Sequence, residues 1–185
     1  MPHPTNPPTR PALVPARWQL LLHALAAMSL GIMAGFFWTY SANVNLAMQQ
    51  MDGSTYATVQ SAFNRNVRHW LFFLFFFGTP VWCLLALASA WGERSRVWWR
   101  SLAGATVLYV LGIIFFTQQV NLPLNHTTEA WNPQAVPEGW TQVRDQWNSA
   151  NLWRTLANGV AFGTAVLALA ARAIAVPAMG ARDRA

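Results

Sequence analysis

No lysine occurs among the 185 residues, and acids are scarce, with six aspartates and glutamates against twelve arginines. Charged residues make up only 10% of the chain, where a soluble domain carries about a quarter. So little charge cannot cover a surface that faces water on all sides, which argues against a soluble globular domain. A single cysteine, Cys83, lies inside an apolar block and permits no disulfide within the chain. Packing is its expected role. The arginines sit between long apolar blocks and form no basic stripe, so a nucleic-acid partner is not expected. Walker, Rossmann, nucleophile-elbow and haem-attachment patterns are also missing, as is any HxxxH or CxxC pair. Neither a metal nor a cofactor is expected.

What is present is apolar. The chain is 54% hydrophobic, with eleven tryptophans and eleven phenylalanines. A membrane helix needs roughly 20 uncharged residues, each rising about 1.5 Å across a hydrocarbon core of about 30 Å. Four stretches satisfy this, at about 20–48, 69–91, 101–121 and 153–175. The last begins at Arg154 and is otherwise interrupted by Arg172 near its end, where a long side chain can reach the headgroups. The expected fold is all-α, a transmembrane four-helix bundle over residues 17–176. Residues 1–16 hold six prolines and read as a disordered cytoplasmic tail, and 177–185 as a basic one. Those prolines, and an apolar block far longer than a signal-peptide core, argue against a cleaved leader.

Arginine placement orients the chain. With four spans, one side holds Arg10, Arg17, Arg94, Arg96, Arg100, Arg172, Arg182 and Arg184, the other Arg65, Arg68, Arg144 and Arg154. The positive-inside rule then puts both termini in the cytoplasm of a multi-pass protein of the cell (inner) membrane. Trp18, Trp91, Trp98 and Trp99 would mark the inner interface, and Trp70, Trp131, Trp140, Trp147 and Trp153 the outer one. Between the first two spans, Tyr56, Val59, Phe63 and Val67 follow helical spacing with Asn64, Arg65 and Arg68 on another face. This predicts a short amphipathic helix on the outer side, and Trp140, Val143, Trp147 and Leu152 predict that the fourth helix also begins there.

Small residues at Ala27, Gly31 and Gly35 form a stripe against which a neighbouring helix can pack closely. Pro80 and Pro123 each leave a carbonyl four residues earlier without its helical donor. Polar residues gather at the outer ends: Asn43 on the first helix, His69 entering the second, Thr117, Asn121, Asn125 and His126 on the third, and Trp147, Asn151, Arg154 and Asn158 on the fourth. Amides and a guanidinium without partners are costly in hydrocarbon, so these groups should face one another around a polar pocket. One reading makes the cluster a network that clips helix ends together. The other makes it a binding site rich in donors, poor in carboxylates and walled by aromatics, suited to a lipophilic aromatic small molecule. The aromatic run 70–77 is expected to contact lipid or pack the bundle. His23 is expected near the inner interface without a special role.

Specific strings support a resemblance. Asn121-Leu122-Pro123-Leu124-Asn125 resembles the NxPLN signature of the anthrone-oxygenase-like family of small membrane proteins. Trp147-Asn148-Ser149-Ala150-Asn151-Leu152-Trp153-Arg154-Thr155 resembles its WxxxNxxRT signature. Gly35-Phe36-Phe37, then Asn43-Val44-Asn45, looks like its first-helix motif, and residues 60–66 like its QxxNR-type stretch with Phe63 before Asn64. Where a Pro-x-Leu step is expected next, this chain has Leu46-Ala47-Met48.

The resemblance implies a four-helix membrane fold and, as in relatives from polyketide pathways, oxidation of an anthrone to an anthraquinone by molecular oxygen without metal or flavin. His126 or His69 would serve as base. Arg154, Asn151, Asn121 and Asn125 would stabilise the oxyanion, and Asn43 and Trp147 would join them in holding the substrate. The alternative is a non-catalytic membrane module that binds a lipid, a quinone or a partner protein through the same pocket. A small transporter is least favoured, since no span carries an acid to relay protons. The partners expected are the lipid bilayer, a lipophilic aromatic molecule and, as a candidate, a second copy of the chain.

Overall fold

A computed structural model describes residues 16–174, so the expected tails at 1–16 and 177–185 lie outside the described residues except for Ala16. Within hydrocarbon a backbone must satisfy its own polar groups, and the apolar runs do so as helices. Four helices are long and apolar enough to cross a membrane: α1 (Arg17–Met48), α3 (Trp70–Ser89), α4 (Val97–Glu129) and α5 (Trp140–Ile174). A shorter helix, α2 (Gly53–Asn66), follows α1. Among the described residues there is no strand. This is the helical bundle expected, in a pattern that marks a membrane protein.

Each span packs on its neighbours in the order α1, α3, α4, α5, and α5 closes the ring against α1. The start of α1, the end of α5 and the α3–α4 turn share one end. The opposite, distal end carries α2, the end of α4 and the start of α5. Large and small apolar side chains alternate in the core: Ala26, Leu30, Met33, Cys83, Ala86, Leu102, Ala161 and Ala165 are buried between the spans. In the small-residue stripe, Gly31 makes the close approach, since a Cβ there would lie 2.9 Å from the Phe162 ring of α5. Nothing meets Gly35 in this way.

Pro80 acts as expected and shows how the bundle compensates. Pro80 cannot donate to the Phe76 carbonyl, and Tyr109 of α4 supplies the missing donor through its Oη at 3.0 Å. Tyr109→Phe keeps the ring and strips this bond. It is expected to lower stability by about 1–3 kcal/mol, as for an orphaned buried acceptor, read as a fall in thermal midpoint in detergent. In α4, wide π-type turns at Val110–Phe115 and Thr117–Asn121 precede Pro123. A further one interrupts α1 at Tyr40–Val44.

Three expectations are corrected. Arg172 does not reach for headgroups; it is 1% exposed inside the terminal end of the bundle. Its guanidinium stacks 4.1 Å from the Trp98 ring, pairs with Glu93 at 3.6 Å and donates to the Gln19 carbonyl at 3.2 Å. Trp98 and Trp147, expected at interfaces, are buried because each gives a face to an arginine of α5. On α2 the inward face is Tyr56, Gln60 and Asn64, turned from the predicted one. Asn64 tolerates burial because it accepts from Gln60 at 3.0 Å and donates to Thr128 at 3.1 Å. His23 is also fully buried, against Trp98, and neither ring nitrogen has a hydrogen-bond partner.

Candidate functional site

The helix ends converge at the distal end of the bundle. Asp52 caps α2, accepting from the Thr55 backbone N–H at 3.0 Å and its hydroxyl at 2.9 Å; these bonds hold its carboxyl below the usual range. Gly53 lies close under the Trp140 ring, and Tyr56 packs on Trp131 and Trp140. Burial raises the Tyr56 phenol above its ordinary value. Arg68 forms an ion pair with Glu129, and Asn64 reaches Thr128. Together these contacts fasten α2 across the bundle mouth, over the outgoing end of α4.

Beneath α2 lies a cavity of about 250 Å³ with residues from all four spans in its wall. That is near the lower end of small-molecule pockets, roughly 300–1,000 Å³. One side is aromatic, built from Phe36, Phe63, Phe72, Phe73, Phe76 and Phe77. The run 70–77 therefore supplies a cavity wall as well as a lipid face. The other side is polar, with Thr117, Asn125, Asn151 and Arg154 beside Trp147 and Tyr40.

A continuous chain of polar groups holds that second side in place. Thr155 Oγ1 and Ser41 Oγ share a hydrogen bond of 2.8 Å, and Asn151 Nδ2 donates to Ser41 Oγ at 2.8 Å. Asn151 Oδ1 accepts from Arg154 Nη2 at 2.7 Å, while Nη1 reaches Thr117 Oγ1 at 3.4 Å. Asn151 and Arg154 meet because they stand three residues apart on one helix face. Asn125 Oδ1 accepts from the Trp147 indole at 2.7 Å. The guanidinium lies between two rings, 4.8 Å from Phe37 and 5.8 Å from Trp147.

Arg154 is 7% exposed, and among the described residues no carboxylate pairs with it. Its Nε has no hydrogen-bond partner. A buried cation with only neutral partners is costly unless something anionic or oxygen-rich completes its shell. The polar side of this wall therefore holds a cation whose shell the described residues do not complete.

Of the residues expected to form the site, Asn125, Trp147, Asn151 and Arg154 line one cavity. Asn121 is 1% exposed with neither amide atom partnered, and it stands off the wall, as does exposed Asn43. His69 and His126 are exposed. His69 caps α3, its Nδ1 accepting from the Phe72 N–H at 3.4 Å. Each histidine follows a wall residue in the chain, Arg68 and Asn125, but neither belongs to the wall itself. Among the described residues no three His, Cys, Asp or Glu side chains gather. Tyr40 and Ser41 were not singled out by sequence; their place three and four residues beyond Phe37 was the available signal.

Compared with known families, residues 71–164, just over half of the chain, match the family model described as anthrone oxygenase. The match takes in the 121–125 and 147–155 strings. No curated protein and no solved structure matches.

Proposed function

The chain belongs to the anthrone oxygenase family, and on that premise we propose that it oxidises a flat, lipophilic phenolic, anthrone or quinone-type substrate in the distal cavity, using dioxygen and no cofactor. One observation carries this reading: Arg154, a buried guanidinium with no counter-ion among the described residues, borders a cavity whose opposite side is walled by phenylalanines. The rings hold a planar skeleton, and Arg154, Asn151 and Asn125 meet its oxygen. Phe73 and Phe77 belong to this wall yet are 41% and 51% exposed on the lipid-facing surface. A hydrocarbon-soluble substrate therefore enters sideways from the bilayer, past these rings. By the arginine count, the distal end faces outward.

For an anthrone, the ring methylene gives up a proton and the anion's charge spreads onto the carbonyl oxygen. Donors placed where that charge develops lower the barrier. The anion reacts with dioxygen at the former methylene, which becomes a carbonyl; one oxygen atom stays and the other leaves as water. His69 or His126, outside the wall, takes that proton and returns it to the outer peroxide oxygen, and the second hydrogen of the former methylene completes the water.

Purified protein in lipid nanodiscs is expected to consume oxygen when given 1,8-dihydroxy-9-anthrone, faster than empty discs do. Asn125→Ala should slow this roughly tenfold, the worth of one lost hydrogen bond. Uptake no faster than spontaneous autoxidation would sink the catalytic reading. The cavity wall contains no His, Asp or Glu, and this favours a second reading, a non-catalytic module that binds a lipid, a quinone or a partner protein there. Saturable ligand binding without oxygen uptake is its signature.

A further inference from the structure

Tyr40 is the one phenol in the cavity wall. Its ring lies 5.1 Å from Trp147 and 5.6 Å from Phe63, both wall residues. Its Oη is shut off from solvent, yet it has no hydrogen-bond partner. Buried hydroxyls are almost always paired, and one left unpaired in a dry interior is destabilising. Tyr109 shows the structural solution in the same bundle, a phenol donating to a carbonyl that a proline has orphaned. Tyr40 has no such use. Tyr56 Oη also lacks a partner but stands off this wall.

The backbone adds an independent observation. The regular α-helix of α1 ends at Thr39, and the wide turn begins at Tyr40 itself. Such turns are rare beside α-helix and are frequent at functional sites. The next residue, Ser41, is tied to Asn151, which in turn holds Arg154. One irregular turn thus places a phenol on the wall and, behind it, an anchor for the guanidinium.

We propose that Tyr40 is a further substrate-contacting residue, whose hydroxyl donates a hydrogen bond to an oxygen of the bound ring system. This rests on reading the cavity as a site for oxygen-bearing aromatic ligands. Tyr40 and Arg154 then act together, one as a neutral donor and one as a charged donor, on a ligand stacked against the phenylalanines. A three-ring hydrocarbon without oxygen would fill the same space and leave both donors unpaired.

The test compares 9,10-anthraquinone with anthracene, binding each to the full chain in nanodiscs. Wild type is expected to prefer the quinone, and Tyr40→Phe to shrink that preference about tenfold, the equivalent of one hydrogen bond. Its melting temperature should not fall, because the ring stays and only an unpaired hydroxyl goes. If Tyr40→Phe proves less stable, the preference still decides, since both probes report on the same folded fraction. An unchanged preference in Tyr40→Phe, alongside its loss in Arg154→Ala, overturns the role of Tyr40 and leaves the cavity reading intact. No preference in wild type overturns both.

Discussion

Arg154→Ala is expected to lower substrate-dependent oxygen uptake by roughly two to three orders of magnitude, the effect of deleting a major oxyanion donor. The expectation follows from where the guanidinium sits. It is buried between Phe37 and Trp147, with Asn151 and Thr117 fixing its plane and Nε left unpartnered. In so dry a setting a charge acts on a developing anion far more strongly than in water. Arg154→Lys should recover only a small part of the rate, because an ammonium cannot serve Asn151, Thr117 and a ligand as a planar fork does. Stability should change little, since the variant removes an unneutralised buried charge while leaving a small void and an unpaired amide oxygen. Oxygen-electrode traces at matched folded protein give the answer. A rate within twofold of wild type would remove Arg154 from the chemistry.

Much of this arrangement was legible beforehand, and the reasons differ by element. The four spans declare themselves because hydrocarbon tolerates no charge over about 20 residues, so arginines and acids mark their ends. The pairing of Asn151 with Arg154 follows from helical spacing alone. Asn125 and Trp147 come from different helices, and only their residue types suggested that they would share a pocket. Tyr40 lies inside the 20–48 span, and nothing in the sequence signals the wide turn that begins there or the unpaired state of its hydroxyl. Phe72 and Phe76 escaped notice because an unbroken aromatic run has no polar face to show which rings turn inward. Trp98 and Arg172 misled for a related reason. Each has a strong habit at membrane interfaces, and that habit gives way when the two can stack on each other inside the bundle. His69 and His126 have the chemistry of a base, but depth cannot be read from residue type, and both emerge on the surface.

The second arginine of α5 provides the contrast that separates function from architecture. Arg172 has what Arg154 lacks: a carboxylate, Glu93, at 3.6 Å, together with a backbone carbonyl and a full tryptophan face at 4.1 Å. It ties the end of α5 to the start of α1 and to the α3–α4 turn. The same region is fastened by Gln19, whose Nε2 donates to the Ser89 carbonyl at 2.5 Å. Arg172→Ala should destabilise the bundle by about 3 kcal/mol, the lower end for breaking a buried pair, because the Glu93 side chain keeps 16% exposure and can rehydrate. The thermal midpoint in detergent should fall clearly below that of Arg154→Ala, while oxygen uptake per folded molecule stays at the wild-type level. Pairing Arg172→Met with Glu93→Gln should restore most of the loss, since well-packed neutral side chains can replace a buried ion pair. Equal melting temperatures for Arg172→Ala and wild type would show that the pair holds nothing together. A fall in turnover at full stability would mean instead that the terminal end of the bundle communicates with the distal cavity.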